Sequence, residues 1–377
     1  MKALSRLHSM LELLGTRHRR RVLVPRRGLD FASNDYLGLA QSDLLRDAAQ
    51  KALQRDVPLG SGGSRLLRGN HPEHEALEQE AAAFFDSEAA LFLGGGFQAN
   101  QAIFSTLPAA EDLILYDALV HASAHEGMRM GRAQARAFAH NNVRAARLAI
   151  EEWVAAGGSG QIWIAVESIY SMEGDIAPLA ELSDLARVYD AILVVDEAHA
   201  TGVFGPNGKG LAHGLNAGQL TLHTCGKGLG VSGGLICGPK VVIDTLINRA
   251  RPVIFATAPS PFNAALVRAV LQHLQTDPSL SLTAQSRIRH AHAVARQAAV
   301  PNEALNSQII PVILGDDAKT MEMAATLQSK GFDIRGIRPP TVPRGTSRLR
   351  VSITGNVSMD DISALFETLA HQQVEAA

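Results

Sequence analysis

The sequence has few cysteines, few lysines and almost no net charge, and each scarcity removes a class of protein. The two cysteines, Cys225 and Cys237, form neither a disulfide framework nor a CxxC metal pattern, so a reducing compartment and no metal are expected. A net charge of -2 gives no electrostatic basis for binding nucleic acid or a bulk membrane surface. No apolar run reaches the roughly 20 residues needed to cross a bilayer, and the N-terminus lacks the apolar core of a secretory signal. A cytoplasmic protein is the expectation. Lysine occurs 7 times in 377 residues, so a lysine in an unusual setting stands out.

Hydrophobic content of 46% with 19% charged residues fits a globular chain. At this length one core is too small an allotment, and two folding units are expected. Leu4, Leu7, Leu11 and Leu14 mark one helical stripe, followed by a basic arm, Arg17-His18-Arg19-Arg20-Arg21. The arm is either a solvated face or a contact for an anionic ligand. Pro72 to Phe85 reads as a helix with proline in its first turn. Ala89–Leu93 is a short apolar run, and Ile162–Val166, Ile192–Val195, Leu220–His223 and Gly234–Cys237 are further short runs rich in β-branched residues. Such runs between helices predict an α/β fold, a mostly parallel sheet covered on both faces. Residues 262–298 read as helical, and 305–377 as a small α+β unit with strands at Ile309–Leu314 and Leu349–Ile353 and a closing helix at Met359–His371. The expected division is an N-terminal helix and arm (1–40), a large cofactor-binding domain (41–270) and a small C-terminal domain (271–377).

Ligands in parallel sheets bind beyond the carboxyl ends of the strands, and the reactive residues cluster there. Lys227 stands between glycines after the Leu220–His223 run; Asp196 ends the Ile192–Val195 run, and His199 follows three residues on. Gly-Lys-Gly alone is weak, and Lys209 in the same setting has no strand before it and reads as a surface residue. A carboxylate and a lysine at two strand ends suit an aldehyde cofactor with a pyridine ring: the lysine forms a Schiff base and the carboxylate holds the ring nitrogen protonated. His199 is placed to reach the phenolic oxygen of such a ring. Gly94-Gly95-Gly96-Phe97 opens a helix, where backbone N–H groups and the helix dipole hold phosphate, with Thr224 able to add a hydroxyl. The chain has no GxxxxGK[ST], which disfavours a nucleotide P-loop. His121 is either a ring that stacks on the cofactor or a structural histidine. Arg348 and Arg350, two apart on a strand, share a face where a guanidinium would clamp a carboxylate, unless that face is merely solvated.

With these residues stand Ser33-Asn34-Asp35-Tyr36-Leu37-Gly38-Leu39, Gly60-Ser61-Gly62-Gly63-Ser64-Arg65, Gly96-Phe97-Gln98-Ala99-Asn100, Tyr170-Ser171-Met172-Glu173-Gly174-Asp175 and Asp196-Glu197-Ala198-His199-Ala200-Thr201-Gly202. Together they resemble the α-oxoamine synthases, pyridoxal 5'-phosphate (PLP) enzymes of fold type I, the aspartate aminotransferase fold, over about residues 30–370. Ile337-Arg338-Pro339-Pro340-Thr341-Val342-Pro343-Arg344-Gly345-Thr346 is similar to the pelargonate-forming branch. The resemblance implies a homodimer that condenses L-alanine with pimeloyl-CoA or a pimeloyl-carrier protein, with loss of carbon dioxide. It implies that Lys227 holds the cofactor and moves the α-proton, that Asp196 and His199 meet the ring nitrogen and phenolic oxygen, and that His121 stacks on the ring. Gly96, Phe97 and Thr224 would contact cofactor groups, mainly the phosphate, and Ser171 would lie near the ring. Thr257 would reach the phosphate in the neighbouring subunit. Arg350 would clamp the amino-acid carboxylate. Arg19, Asn34 and Thr341 match substrate-contacting positions, with Arg20 and Arg21 able to take the role of Arg19. Gly95 departs from the family, which often has serine there. The alternatives are a glycine- or serine-using relative with another acyl-CoA, and a non-catalytic PLP-binding module.

Overall fold

The computed structural model describes residues 4–215, 219–300 and 306–375. The chain divides into two units. The smaller comprises Met1–Tyr36, Met172–Asp175 and Ser286–Ala377; the larger comprises Leu37–Ser171 and Ile176–Gln285. This differs from the expected breaks at 40 and 270, because the N-terminal segment groups with the C-terminal residues.

The smaller unit begins with α1 (Ser5–Thr16) and β1 (Leu29–Asp30). No residue of α1 is buried, so its leucine stripe covers no core of this chain.

The larger unit follows with α2 (Asp43–Gln54), α3 (Pro72–Phe84), β2 (Ala89–Leu93), α4 (Gly96–Thr106), β3 (Leu113–Asp117), α5 (Ala122–Met130), β4 (Gln134–Phe138) and α6 (Val143–Ala155). It continues through β5 (Ile162–Glu167), α7 (Leu179–Val188), β6 (Ile192–Asp196), β7 (Gln219–Thr224), β8 (Gly234–Gly238), α8 (Lys240–Arg249), α9 (Arg251–Ile254) and α10 (Pro261–Thr276). Pro72 sits in the first turn of α3, where its missing N–H costs nothing, and His71 caps that turn through Glu73 N. The seven strands lie in the order β2-β8-β7-β6-β5-β3-β4. From β4 through β7 the pairings are parallel, and β8 runs antiparallel to both β7 and β2.

Alternation along the central strands builds both faces. Ile114, Trp163, Ala165 and Val194 enter one core with Ile103 and Phe104 of α4. Leu113, Leu115, Ile164, Val166, Leu193 and Val195 enter the other with Leu182 and Leu185 of α7. A period of two with both phases apolar is why these strands read as continuous apolar runs. The runs expected at Ile162, Ile192, Leu220 and Gly234 are all strands of this sheet; β3 and β4 had not been anticipated. In β4, Gln134-Ala135-Arg136-Ala137 is mostly exposed, which hides an edge strand from an apolar-run reading.

The boundary between units falls within α11 (Ser279–Gln297), which follows a break at Asp277-Pro278 in the expected helical stretch. The smaller unit then holds β9 (Ile309–Gly315), α12 (Asp317–Ser329), β10 (Phe332–Asp333), β11 (Arg335–Ile337), β12 (Ser347–Ser352) and α13 (Met359–Glu375). Strands β11, β12 and β9 form an antiparallel sheet, and β1 pairs in parallel with β10. That pairing, with Phe31 buried against Phe332 in one core, ties the N-terminal segment to this unit.

Candidate active site

In the larger unit the reactive side chains gather at the carboxyl ends of β6 and β7. Asp196 is the last residue of β6; Oδ1 accepts from Ala198 N at 3.0 Å and Oδ2 from Asn100 Nδ2 at 2.8 Å. His199 is buried, and its Nε2 lies 3.0 Å from Lys227 Nζ. Lys227 rides on the turn joining β7 to β8. Bonds from Cys225 N to Gly233 O at 2.9 Å, Val231 N to Cys225 O at 2.9 Å and Gly230 N to Lys227 O at 3.0 Å hold that turn. Gly230, at φ +67°, takes a left-handed conformation against Leu39 and Ala40, where a Cβ would meet backbone at 2.8 Å.

His121 caps α5: its Nδ1 accepts from Ser123 N at 3.2 Å and lies 2.7 Å from Ser123 Oγ. The residue is exposed, and its ring is tied through Nδ1. Desolvation by the surrounding protein pulls its pKa below the usual histidine value. The Asp196 carboxylate opposes this, and Lys227 and His125 reinforce it. The charges of Asp196 and Lys227 both act on His121, which marks the three as one cluster.

Gly96 begins α4 beside Thr224, the last residue of β7; a Cβ on Gly96 would meet Thr224 Oγ1 at 2.2 Å. The helix N-terminus and the threonine hydroxyl therefore share a cradle that only glycine permits. Phe97 is half exposed in the same turn. Gly95 has open space around its Cβ position, so crowding does not explain its departure from serine. Ser171 is half-buried at the edge of the unit, and Thr257 is exposed after α9. Lys209 is not a free surface residue: its Nζ pairs with Asp86 at 2.7 Å and lies over the Phe84 ring.

In the smaller unit, Arg350 is buried on β12 and donates to Ser352 Oγ at 2.7 Å, Asn34 Oδ1 at 3.0 Å and Tyr36 OH at 3.4 Å. Asn34 Oδ1 also accepts from Tyr36 OH at 2.9 Å. Arg348 is buried too, and binds Thr346 O, Met172 O and Glu173, which is a structural use. The solvated-face reading of this strand therefore fails. Arg19 pairs with Asp317 at 2.6 Å, Arg21 donates to Thr341 Oγ1 at 2.8 Å, and Arg338 donates to His18 O. Arg17, Arg19 and Arg344 line a cleft of about 710 Å³ beside Asp317. The basic arm is thus anchored, with Arg19 turned to Asp317 and Arg21 to Thr341. Asn100, Ser123 and Tyr36 were not anticipated as functional. A polar residue at an otherwise apolar helical position, as Asn100 is, was the available signal.

The residues present fit PLP: a lysine beside a histidine, a held carboxylate with an imidazole in the same pocket lining, and a glycine–threonine cradle at a helix N-terminus. Fold and site together define the class, a PLP-dependent transferase built on the aminotransferase fold. The family "Aminotransferase class I and II" matches residues 26–369. An 8-amino-7-oxononanoate synthase of Marinobacter nauticus is 36% identical over 91% of this chain and 86% of its own length. An 8-amino-7-oxononanoate synthase 2 of Bacillus subtilis is 38% identical over 92% and 90%. A serine palmitoyltransferase structure from S. paucimobilis, with PLP and myriocin bound, overlays with a TM-score of 0.89 at 26% identity, covering 100% of this chain and 99% of that one. The chain belongs to the 8-amino-7-oxononanoate synthase family, PLP-dependent acyltransferases of biotin biosynthesis. Among the described residues no helix is long and apolar enough to cross a membrane.

Proposed function

We propose that this protein joins L-alanine to a pimeloyl thioester, either pimeloyl-CoA or a pimeloyl-carrier protein. The products are 8-amino-7-oxononanoate, carbon dioxide and the free thiol carrier. The observation that carries the reading is the Lys227–His199 contact beyond the adjacent strands β7 and β6, with Asp196 and His121 lining one pocket. When bound, PLP links to an amine through its aldehyde and delocalises the electron pair left on the α-carbon.

Lys227 Nζ holds the cofactor at rest, then takes the α-proton of the amino acid and later returns one. His199 Nε2, 3.0 Å away, orients that amine. Asp196, kept in place by Asn100 and Ala198 N, keeps a proton on the ring nitrogen. His121 covers one ring face. Gly96, Phe97 and Thr224 seat the phosphate, with Ser171 near the ring and Thr257 reaching a neighbouring subunit's cofactor in a cytoplasmic homodimer. Arg350 binds the amino-acid carboxylate; Arg19, Asn34 and Thr341 contact substrate. Positioning of this kind is worth several kcal/mol of barrier.

The 36–38% identity to curated 8-amino-7-oxononanoate synthases over about nine-tenths of the chain supports the alanine reading. The competing reading is a glycine- or serine-using relative, which the serine palmitoyltransferase overlay keeps in view. Mass spectrometry of products from alanine, glycine and serine, each with a panel of acyl thioesters, tests it. Ketone product from alanine and pimeloyl thioester is expected. Product from serine or glycine instead would replace the assignment.

A further inference from the structure

Two buried polar residues join Asp196 to His121. Asn100 on α4 is 3% exposed and Ser123 on α5 is 1% exposed, so neither exchanges its partners freely with water. Their protons can be placed one at a time. A carboxylate only accepts, so the group of Asn100 facing Asp196 Oδ2 at 2.8 Å is its NH2. The second hydrogen of that NH2 goes to Ser123 Oγ at 2.9 Å. Ser123 thus accepts from Asn100, and its own hydroxyl hydrogen remains free to donate to His121 Nδ1 at 2.7 Å, the direction that the Ser123 backbone N–H at the same nitrogen then fixes. The Ser123 backbone N–H points at the same Nδ1. A nitrogen that accepts from two donors carries no proton, so the imidazole hydrogen sits on Nε2.

We infer that Asn100 and Ser123 are positioning residues that hold Asp196 in one orientation and His121 in its neutral, Nε2–H form. The inference rests on reading Asp196 and His121 as the residues that meet the cofactor ring. Under that reading the chemistry requires such a lock. Desolvation most strongly disfavours a protonated imidazole; Asp196 on β6 favours one, and Lys227 after β7 and His125 on α5 oppose it. An imidazolium stacked on a protonated pyridine ring would repel it. Two donors at Nδ1 disfavour that state, because protonating Nδ1 would break both hydrogen bonds.

Nitrogen NMR of the full chain with labelled histidine, without and with PLP, tests this, with the His121 signal identified by its loss in His121→Phe. Wild-type protein without PLP should show the Nε2–H form. Ser123→Ala keeps the backbone N–H and removes the hydroxyl; the His121 pKa should rise by about one unit and the tautomers should mix. Asn100→Leu, or Asn100→Ala where leucine disturbs packing, should weaken PLP binding about tenfold and move the pH midpoint of its visible band. Urea midpoints establish that each variant is folded. An unchanged His121 tautomer in folded Ser123→Ala, or unchanged PLP affinity in folded Asn100 variants, overturns the inference. Failure of the ring reading looks different: His121→Phe and Asp196→Asn would both leave PLP binding intact while the tautomer shift without PLP persists.

Discussion

Lys227 Nζ and His199 Nε2 lie 3.0 Å apart, although 28 residues separate them in sequence. The amine at the end of one strand is thereby aimed by an imidazole that follows the next. Replacing Lys227 by alanine should abolish the borohydride-reducible link to PLP, read by intact mass. It should also lower turnover by about 10³-fold or more, on the scale of a lost general base and covalent anchor. A Lys227→Ala variant that still turns over would remove Lys227 from its role.

Gly96 has no room for a side chain beside Thr224. Gly96→Ala places a Cβ 2.2 Å from Thr224 Oγ1 and must displace the threonine or the start of α4. PLP affinity should fall at least about tenfold, the worth of one charge-assisted hydrogen bond to phosphate. Titration of PLP into the cofactor-free protein measures it, and Gly95→Ala, which meets open space, serves as the control.

Arg350 is held by Asn34, Tyr36 and Ser352, which set the plane of its guanidinium. Arg350→Lys keeps the charge and loses the fork. The kcat/KM for the amino acid should fall about 10–100-fold, mainly through KM, with PLP binding unchanged. Steady-state kinetics at varied alanine decide; an unchanged KM would assign the carboxylate to another residue.

Glu197 follows Asp196 and is wholly buried. Burial pushes its carboxyl up to about 7, against the pull of hydrogen bonds from Ser168 and Ala212 N. Below 4.5 both folded and unfolded chains keep the proton. Between 4.5 and about 7 only the folded chain does, so its contribution to stability is lost as pH rises through about 7. Glu197→Gln offers an oxygen to Ala212 N and an NH2 to Ser168. From pH 5 to 8 it should gain stability relative to wild type by roughly 2–3 kcal/mol, at about 1.4 kcal/mol per pH unit, read from urea midpoints. A difference that is flat with pH would mean that Glu197 is ionised in the fold.

The central sheet was legible because β5 and β6 are apolar on both faces, and burial on both faces writes itself as an unbroken run; β7 adds Leu220 and Leu222 on one face, with Thr221 and His223 on the other. The edge strand β4 was not, because Gln134, Ala135 and Ala137 are exposed and it carries no apolar run. Lys227, Asp196 and His199 were legible because each follows such a run. Asn100 and Ser123 were not: a polar residue among apolar helical positions signals a use, as Asn100 does, but not which partners it faces.

Residue type and order alone determined the chemistry available: one lysine between glycines at a strand end, a carboxylate and histidine at another, and a glycine-rich helix start. Tertiary structure decided which polar groups meet. It turned Arg348 to Glu173 and Arg350 to Asn34, although the two arginines stand two apart on the same strand. It also set Asn100 between Asp196 and Ser123. The physical reason is that hydrogen bonds act over about 3 Å, while the residues that form them come together only when distant strands and helices pack.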